Sequence, residues 1–276
     1  MADKKIKIAW FGRHFGEEPP LIGSREEGAG GIFFAGCNLR CVFCQNYQIS
    51  QQSLGRYYSI PELADIMLRL EAEGAVNIDL VTPTIWAEPI ITAIPLARRQ
   101  GLKIPIVWNS NAYETVDLIK SLRGLVDIFL PDFKYSDDRL AYKYSQVKNY
   151  STTAAYAIAA MLENVGHPRF DRFGLMSAGL VVRHLVLPGN LENSFGVLDS
   201  IAQIDQRIFV SLMAQYYPLR HAFSYPELNR RLSKKEFDTV QNYQLQLGLE
   251  NGWYQELTSA KILIPDFTKD EPFGMI

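Results

Sequence analysis

Cysteine is scarce in this chain, and its distribution excludes a disulfide framework. Only three of the 276 residues are cysteines, and all three lie within the stretch 37–44. An odd, tightly clustered set of thiols offers no obvious disulfide pairing. Free thiols held this close together fit a reducing compartment, so we expect a cytoplasmic protein.

Other features are also missing, and each absence narrows the class of protein. The chain has 28 basic and 30 acidic residues and no long basic run, so nucleic acid is not an expected partner. No run of about 18 apolar residues occurs, so we expect neither a transmembrane helix nor a membrane partner. Residues 1–7 carry charges with no apolar stretch behind them, so no signal peptide is predicted.

What the chain does contain is the segment GCNLRCVFCQN at residues 36–46, which places Cys37, Cys41 and Cys44 in a C-x3-C-x2-C spacing. Thiolates packed this closely suit a soft metal or an iron–sulfur cluster. A [4Fe–4S] cluster takes four thiolates, so three would leave one iron open for chemistry. The alternatives are an electron-transfer cluster and a zinc site, although zinc usually has paired ligand motifs and no second C-x2-C or H-x3-H occurs.

Apolar runs that alternate with amphipathic stretches predict an α/β fold with a parallel sheet. We expect residues 1–31 to form a lead-in with turns, 32–220 the core β/α units, and 221–276 a C-terminal helix and tail, all in a single domain. About 250 residues suits a barrel, but six units are too few for a closed eight-stranded one. The six strands are predicted at 32–35, 78–81, 104–108, 126–130, 180–186 and 207–212.

Polar side chains follow or end these strands, and ligands gather at the carboxyl ends of the strands in parallel sheets. Ordinary loop polarity explains any one of them, but their convergence on several strands predicts a shared binding site. The four histidines are isolated in the sequence, and His184 should point away from the face that Arg183 uses, because strand neighbours alternate. The candidate binding residues are Thr82, Thr84, Asn109, Ser110, Asn111, Asp132, Lys134, Arg183 and Gln215.

The cysteine spacing, with Phe43 just before the last cysteine, resembles the signature of the radical S-adenosylmethionine (SAM) enzymes. The wider stretch, RHFGEEPP at 13–20 and GGIFFAGCNLRCVFCQNYQIS at 30–50, is similar to a branch described as pyruvate formate-lyase activating enzyme-like. The resemblance covers nearly the whole chain. It implies a partial (β/α)6 TIM-like barrel that is open at one side, with a [4Fe–4S] cluster and SAM as cofactors and a reductant such as flavodoxin or ferredoxin as a partner.

The resemblance also implies roles for individual residues. Asp132 would hold the SAM ribose and Lys134 the SAM carboxylate, with a surface ion pair between the two as the alternative. Arg183 would either face the ligand or form an internal salt bridge. Phe43 would lie near the adenine, where its neighbouring backbone could contact the edge of the base.

Two segments depart from the family's usual sequence, one in part and the other at all three residues. Asn109-Ser110-Asn111 is similar to the D-T-N segment of the activating enzymes, with Asn109 in place of the aspartate. Thr82-Pro83-Thr84 stands where the family usually has Gly-Gly-Glu, which contacts the SAM amino group. Threonine hydroxyls and carbonyls can still accept a hydrogen bond from an amine, so we expect Thr82 and Thr84 to take that part.

The function implied by the resemblance is that of a radical SAM oxidoreductase. A reduced cluster would pass an electron into SAM, and the resulting 5′-deoxyadenosyl radical would abstract hydrogen from a glycine of a glycyl-radical enzyme. No side chain need act as a general acid or base, so no catalytic residue is assigned. The alternatives are a radical SAM enzyme for a small molecule or another peptide, and an iron–sulfur carrier or metal-binding protein without SAM chemistry.

Overall fold

The computed structural model describes residues 5–24, 27–255 and 264–273, in which strands and helices alternate along most of the chain. The strands are β1 (Lys5–His14), β2 (Ala29–Phe34), β3 (Arg56–Ser59), β4 (Ile78–Val81), β5 (Ile106–Ser110), β6 (Ile128–Pro131), β7 (Arg169–Phe170), β8 (Met176–Leu185), β9 (Phe209–Met213) and β10 (Gly252–Tyr254). The helices are α1 (Pro19–Ile22), α2 (Tyr47–Ser50), α3 (Ile60–Ala72), α4 (Ala87–Arg99), α5 (Val116–Ser121), α6 (Asp138–Ser145), α7 (Tyr150–Val165), α8 (Leu191–Ile204) and α9 (Lys234–Gln246). Two short 3₁₀ helices span Thr84–Trp86 and Arg220–Ser224.

The strands form one sheet whose central part is parallel. β2, β4, β5, β6, β8, β9 and β10 lie side by side in that order, and each pair is parallel. β1 pairs antiparallel to β2, and β3 pairs antiparallel to β1. Because the sheet runs from β10 at one edge to β3 at the other, it is an open, partial TIM-like barrel, and the predicted α/β class is confirmed.

Two of the long helices, α3 and α9, begin where the sequence provides caps. Ser59 and Glu62 form a complete capping box at the start of α3, and Ser233 and Glu236 form another at the start of α9. On α3, the apolar residues at helical spacing are the buried ones, and they face the sheet. The local signals for these two helices therefore agree with their packing.

The two faces of the parallel strands bury different kinds of residue, because side chains alternate along a strand. Ile106 and Trp108 on β5 belong to the main core beneath the helices. Val107 points to the other face and packs in a second apolar cluster with Leu130 and Val181. The residues two positions after these three are Asn109, Asp132 and Arg183, so a polar layer lies directly above an apolar floor on the inner face.

The N-terminal segment differs from the predicted lead-in. The alternation of Lys5, Ile6, Lys7 and Ile8 is a strand pattern, and β1 inserts between β2 and β3 with both isoleucines buried. Gly30 and Gly31 lie inside β2, which begins three residues earlier than the strand predicted at 32–35. A Cβ on Gly30 would lie 2.7 Å from the carbonyl oxygen of Asn77, so glycine here permits a close backbone approach.

The C-terminal part also contains an element that the sequence did not predict. β10 adds three residues parallel to β9, and the following described segment, 264–273, packs back against β1 and β2. Within the described ranges, no helix combines the length and the apolar character that a membrane crossing needs.

Candidate cofactor-binding site

A cavity lies at the carboxyl ends of the parallel strands, and all three cysteines line it. Of the candidate residues from the sequence, every one except Thr84 also lines this cavity. The structure therefore brings together side chains from the loop after β2 and from the carboxyl ends of β4, β5, β6, β8 and β9. They are Cys37, Cys41, Phe43, Cys44, Thr82, Asn109, Ser110, Asn111, Asp132, Lys134, Arg183 and Gln215.

The cysteine loop is fixed by backbone hydrogen bonds to the end of α6. The N–H of Arg40 donates to the carbonyl of Ser145 at 3.0 Å, and the N–H of Val42 donates to that of Tyr144 at 2.8 Å. At the start of the loop, Gly36 has φ of 89°, a conformation that favours glycine, and its N–H donates to the carbonyl of Ile49. These bonds hold the loop over the carboxyl end of the sheet.

Each thiol has a polar partner within the protein. Cys41 Sγ accepts from the hydroxyl of Ser145 at 3.0 Å, and Cys44 Sγ lies 3.3 Å from Ser50 Oγ. Cys37 Sγ accepts from the Leu39 N–H and from Asn111 Nδ2, both at 3.4 Å. Donors aimed at sulfur stabilise thiolates and tune the potential of a bound cluster.

The protein alone leaves these thiols in their neutral form. Burial, followed by repulsion from Cys41, raises the pKa of Cys37 to about 11 and that of Cys44 to about 12. Burial likewise raises the pKa of Cys41. A bound metal centre would supply the positive charge that thiolates need at neutral pH. Three thiols that have polar partners and line one cavity fit a three-thiolate cluster site. In the described ranges, no three acid, histidine or cysteine groups are placed to hold a single metal ion.

A chain of ion pairs crosses the cavity opposite the cysteines. Lys134 Nζ lies 2.6 Å from Asp132 Oδ2, and Arg183 Nε lies 2.7 Å from Asp132 Oδ1. Arg183 Nη1 continues to Glu17 Oε2 at 2.8 Å, and its Nη2 donates to Asn109 Oδ1 at 2.6 Å. Burial disfavours charge on Asp132, but Arg183 and Lys134 outweigh it and hold the pKa of that carboxyl below its usual value.

This network shows the surroundings of two residues for which the sequence left alternatives. Arg183 forms internal salt bridges with Glu17 and Asp132, and it also lines the cavity. The Asp132–Lys134 pair exists, but it lies inside the cavity and not on the outer surface. His184 points to the opposite face, as strand alternation predicts, and its ring contacts the carbonyl of Phe133 at 2.7 Å and Ser194 Oγ at 2.8 Å.

The two threonines after β4 have different environments. Thr82 adopts φ of 60° and lines the cavity, and its N–H donates to the carbonyl of Asn109 at 2.9 Å. Thr84 does not line the cavity, because it lies in the 3₁₀ helix and its hydroxyl donates to Glu114 Oε1, in the loop after β5, at 2.9 Å. Glu114 also accepts from Trp108 and Ser110, so Thr84 belongs to a buried structural network.

Sequence reasoning missed the residues that the N-terminal segment contributes to the cavity. His14, Glu17 and Glu18 line it from β1 and the loop before α1. His14 Nε2 lies 3.5 Å from Glu17 Oε1, which connects β1 to the ion-pair chain. The sequence signal that could have identified them is the pair of acids directly before two prolines. In the structure Glu18 is buried, and the side chain of Glu17 is 8% exposed.

The C-terminal segment 264–273 covers part of the same cavity. The ring of Phe273 lies 4.4 Å from that of His14 and 5.2 Å from that of Phe33. Gln48 binds the segment at two points, donating to Asp266 Oδ1 at 3.1 Å and accepting from the N–H of Phe267 at 2.7 Å. Pro265 and Phe273 thereby become part of the cavity wall.

This chain is similar to a curated protein and to several solved structures. An uncharacterized protein of Methanocaldococcus jannaschii is 31% identical over 260 residues, which cover 88% of this chain and 70% of that protein. Streptococcus suis SuiB bound to the precursor peptide SuiA matches 84% of this chain with a TM-score of 0.55 and 13% identity. A radical SAM methyltransferase from Sphaerobacter thermophilus matches 84% of this chain and 69% of its own, with a TM-score of 0.55 and 15% identity.

The two solved structures show that the fold is shared, and this chain spans about half the length of SuiB, 49%. The family model described as the radical SAM superfamily matches residues 32–195, which contain the three cysteines and the ion-pair chain from Asp132 to Arg183. The model covers more than half of the sequence, and the methanogen relative covers most of the remainder. This chain therefore belongs to the radical SAM superfamily, and it is a radical SAM enzyme that uses a [4Fe–4S] cluster and SAM.

Proposed function

We propose that this radical SAM enzyme abstracts hydrogen from a segment of a partner protein, and that a glycine Cα of a glycyl-radical enzyme is the atom attacked. The observation that carries the proposal is the open sheet, which ends at β10 on one side and β3 on the other. An open barrel leaves room for a peptide segment to approach the cavity, whereas a closed barrel admits mainly small molecules.

Two further observations support a peptide substrate. The stretch from residue 13 to 50 is similar to the activating-enzyme-like branch, whose named activity is on a protein. SuiB, which shares the fold, has been solved with a precursor peptide bound. The identity to SuiB is only 13%, so it supports the general mode and not a particular peptide.

In this proposal some residues of the chain hold the cluster and SAM, and others keep water away from them. Cys37, Cys41 and Cys44 would hold the cluster, which, together with SAM, supplies the 5′-deoxyadenosyl radical when reduced. In this proposal Lys134 binds the SAM carboxylate and Asp132 the ribose, because a cation and an acceptor suit these groups. A reduced flavodoxin or ferredoxin is the proposed electron donor.

The remaining cavity residues orient the cofactor and exclude water. Phe43 lies in the cysteine loop with its ring against Tyr216, so it can present its backbone to adenine. The apolar side chains on the cavity wall keep solvent from the reacting atoms. The other polar contacts proposed for SAM are Thr82, Asn109, Ser110, Asn111, Arg183 and Gln215.

The test is to incubate the reduced, cluster-loaded protein and SAM anaerobically with candidate glycyl-radical enzymes. We expect a glycine-centred doublet in the electron paramagnetic resonance spectrum and one 5′-deoxyadenosine for each radical formed. No doublet with any candidate, together with deuterium transfer into 5′-deoxyadenosine from a labelled small molecule, would refute the activase proposal and leave the radical SAM chemistry intact.

A further inference from the structure

Several buried polar atoms have no hydrogen-bond partner among the described residues. Those of His14 and Glu18 belong to residues that line the cavity, whereas Asp79 and Ser211 do not line it but lie beside the lining residues Asn109 and Glu18. The unpaired atoms come from β1, the loop before α1, β4 and β9. Buried polar atoms in folded proteins are almost always hydrogen bonded, so an unpaired group at a cavity indicates a missing ligand or water. The atoms are His14 Nδ1, Glu18 Oε2, Asp79 Oδ1 and Ser211 Oγ.

Glu18 is the member of this group that faces the cavity most clearly. It lines the cavity and is only 6% exposed. It is the N-cap residue of α1, yet its carboxylate makes no capping hydrogen bond, so local structure does not occupy it. Ser211 lies beside it on β9, and Ser211 Oγ also lacks a partner with hydrogen-bond geometry.

The charges around the cavity do not balance. Glu17 is paired with Arg183 and His14, and Asp132 is paired with Arg183 and Lys134. Both permanent cations are therefore already in use. Glu18 and Asp79 remain as two further buried carboxyls, and within the described part of the chain the single donor to Asp79 is the amide of Asn109, at 3.3 Å.

The carboxyls of Glu18 and Asp79 lack hydrogen-bond donors that carry positive charge. A carboxylate only accepts, whereas an ammonium group offers three N–H donors and a guanidinium offers five. Burial and the neighbouring charge of Glu17 raise the pKa of both Glu18 and Asp79 against the opposing charge of Arg183, so these groups tend to keep a proton while no further cation is present. A cation entering the cavity would replace that proton with a charge-assisted hydrogen bond.

We propose that Glu18, supported by Asp79 and Ser211, binds a primary ammonium or guanidinium group of the substrate inside the cavity. The inference rests on the proposed function in one respect, namely that the cation belongs to the molecule that gives up hydrogen. In a protein partner, that group is a lysine or arginine side chain near the attacked residue. Glu18 is then a substrate-binding residue, distinct from the side chains proposed for SAM.

The test uses n-butylguanidinium as the probe and n-butylurea as its neutral counterpart of the same shape. Binding is measured by ligand-detected nuclear magnetic resonance on the cluster-loaded protein with SAM, under anaerobic and non-reducing conditions, so that no turnover occurs. We expect saturable binding of the cation and none of the urea. Glu18→Gln should weaken cation binding by about ten- to a hundredfold, which is the range for losing a charge-assisted hydrogen bond.

Two controls separate loss of the proposed cation site from a general effect of charge and from a loss of SAM binding. Glu163→Gln removes an equal charge from an exposed helix position and should leave probe binding unchanged. SAM affinity should be the same in Glu18→Gln as in the wild type. If Glu18→Gln fails to take up the cluster, Asp79→Asn is measured in its place, and the same selective loss of cation binding is expected.

The outcomes separate this inference from the proposed function. Equal probe binding in wild type and Glu18→Gln would overturn the cation site. A Glu18→Gln variant that loses SAM affinity and not cation binding would also overturn it, because Glu18 would then bind SAM. Selective cation binding without a glycine-centred radical would support the site and count against the activase proposal. SAM cleavage without any cation binding would refute the site alone.

Discussion

Asp132 is the residue through which the charges of the site are connected. Its two carboxylate oxygens are shared between Arg183, at 2.7 Å, and Lys134, at 2.6 Å. Arg183 also pairs with Glu17, so the Asp132–Arg183 ion pair is held in place from both sides. Lys134 has only this one ion pair among the described contacts, which makes its ammonium group the cation best able to share its charge with an incoming carboxylate.

The first prediction concerns this lysine. Lys134→Ala should weaken SAM binding by about ten- to a hundredfold, because one charge-assisted hydrogen bond is lost. Lys143→Ala is the matched control, since Lys143 makes an ion pair of the same length, 2.6 Å, with Glu227 outside the cavity. Equilibrium dialysis of labelled SAM against the cluster-loaded protein gives both affinities. Unchanged binding in both Lys134→Ala and Asp132→Ala would show that the assignment after β6 is wrong.

The second prediction concerns His184 on the other face of β8. Burial, with the nearby Lys134 as a lesser cause, lowers the pKa of His184 from 6.5 to about 4. The unfolded chain therefore binds the extra proton first as the pH falls. The stabilisation is fully present above about pH 6.5 and is lost as the pH falls toward 4.

Chemical denaturation at several pH values between 7 and 4 measures this effect. The free energy of unfolding should fall less steeply with decreasing pH in His184→Gln than in the wild type. His221→Gln, at an exposed position, should keep the slope of the wild type. A slope that His184→Gln leaves unchanged would mean that other groups cause the acid sensitivity.

At the scale of elements, the sequence predicts the parts whose signals are local. The six strands predicted from short apolar runs are present among the parallel strands of the sheet, and α3 and α9 begin at capping boxes that the structure contains. The polar strand ends meet because parallel strands share one carboxyl edge. Thr84 is the exception, since a 3₁₀ helix directly after β4 turns its side chain away, and spacing alone does not reveal that turn.

Long-range pairing is what the sequence could not reveal. β1 lies next to β2 although a loop and α1 separate them, and this placement brings Glu17 and Glu18 into the cavity. The segment 264–273 reaches the cavity from the far end of the chain by packing on Phe33. Neither contact has a local signature, because partner strands and covering segments are selected by the folded core.

The third prediction concerns this covering segment. Gln48→Ala removes two hydrogen bonds to it, each worth about 1 kcal/mol, so the segment should leave the cavity more often. We expect the cluster to bleach severalfold faster in air-saturated buffer, followed by visible absorbance. Gln52→Ala, at an exposed neighbouring position, should bleach at the rate of the wild type. Equal rates for the two variants would show that the segment does not protect the cluster.

At the scale of the whole molecule, the cysteine loop after β2 lies over a cavity at the carboxyl edge of the open sheet, next to the charged and polar strand ends. The sheet supplies a rigid edge on which charged and polar ends converge, and the loop after β2 adds the three thiols above it. The N-terminal segment adds acids on the same inner face. Thiols, cations and the unpaired carboxylate of Glu18 therefore line a single cavity.

The most direct test of the central claim is SAM cleavage by the reconstituted protein. After anaerobic loading, we expect about four irons per chain and, with a strong reductant and SAM, release of methionine and 5′-deoxyadenosine in equal amounts. Alanine at Cys37, Cys41 or Cys44 should abolish both the broad visible absorbance and the cleavage. A protein that holds one tight zinc ion without sulfide, or that loads the cluster yet never forms 5′-deoxyadenosine, would contradict this account.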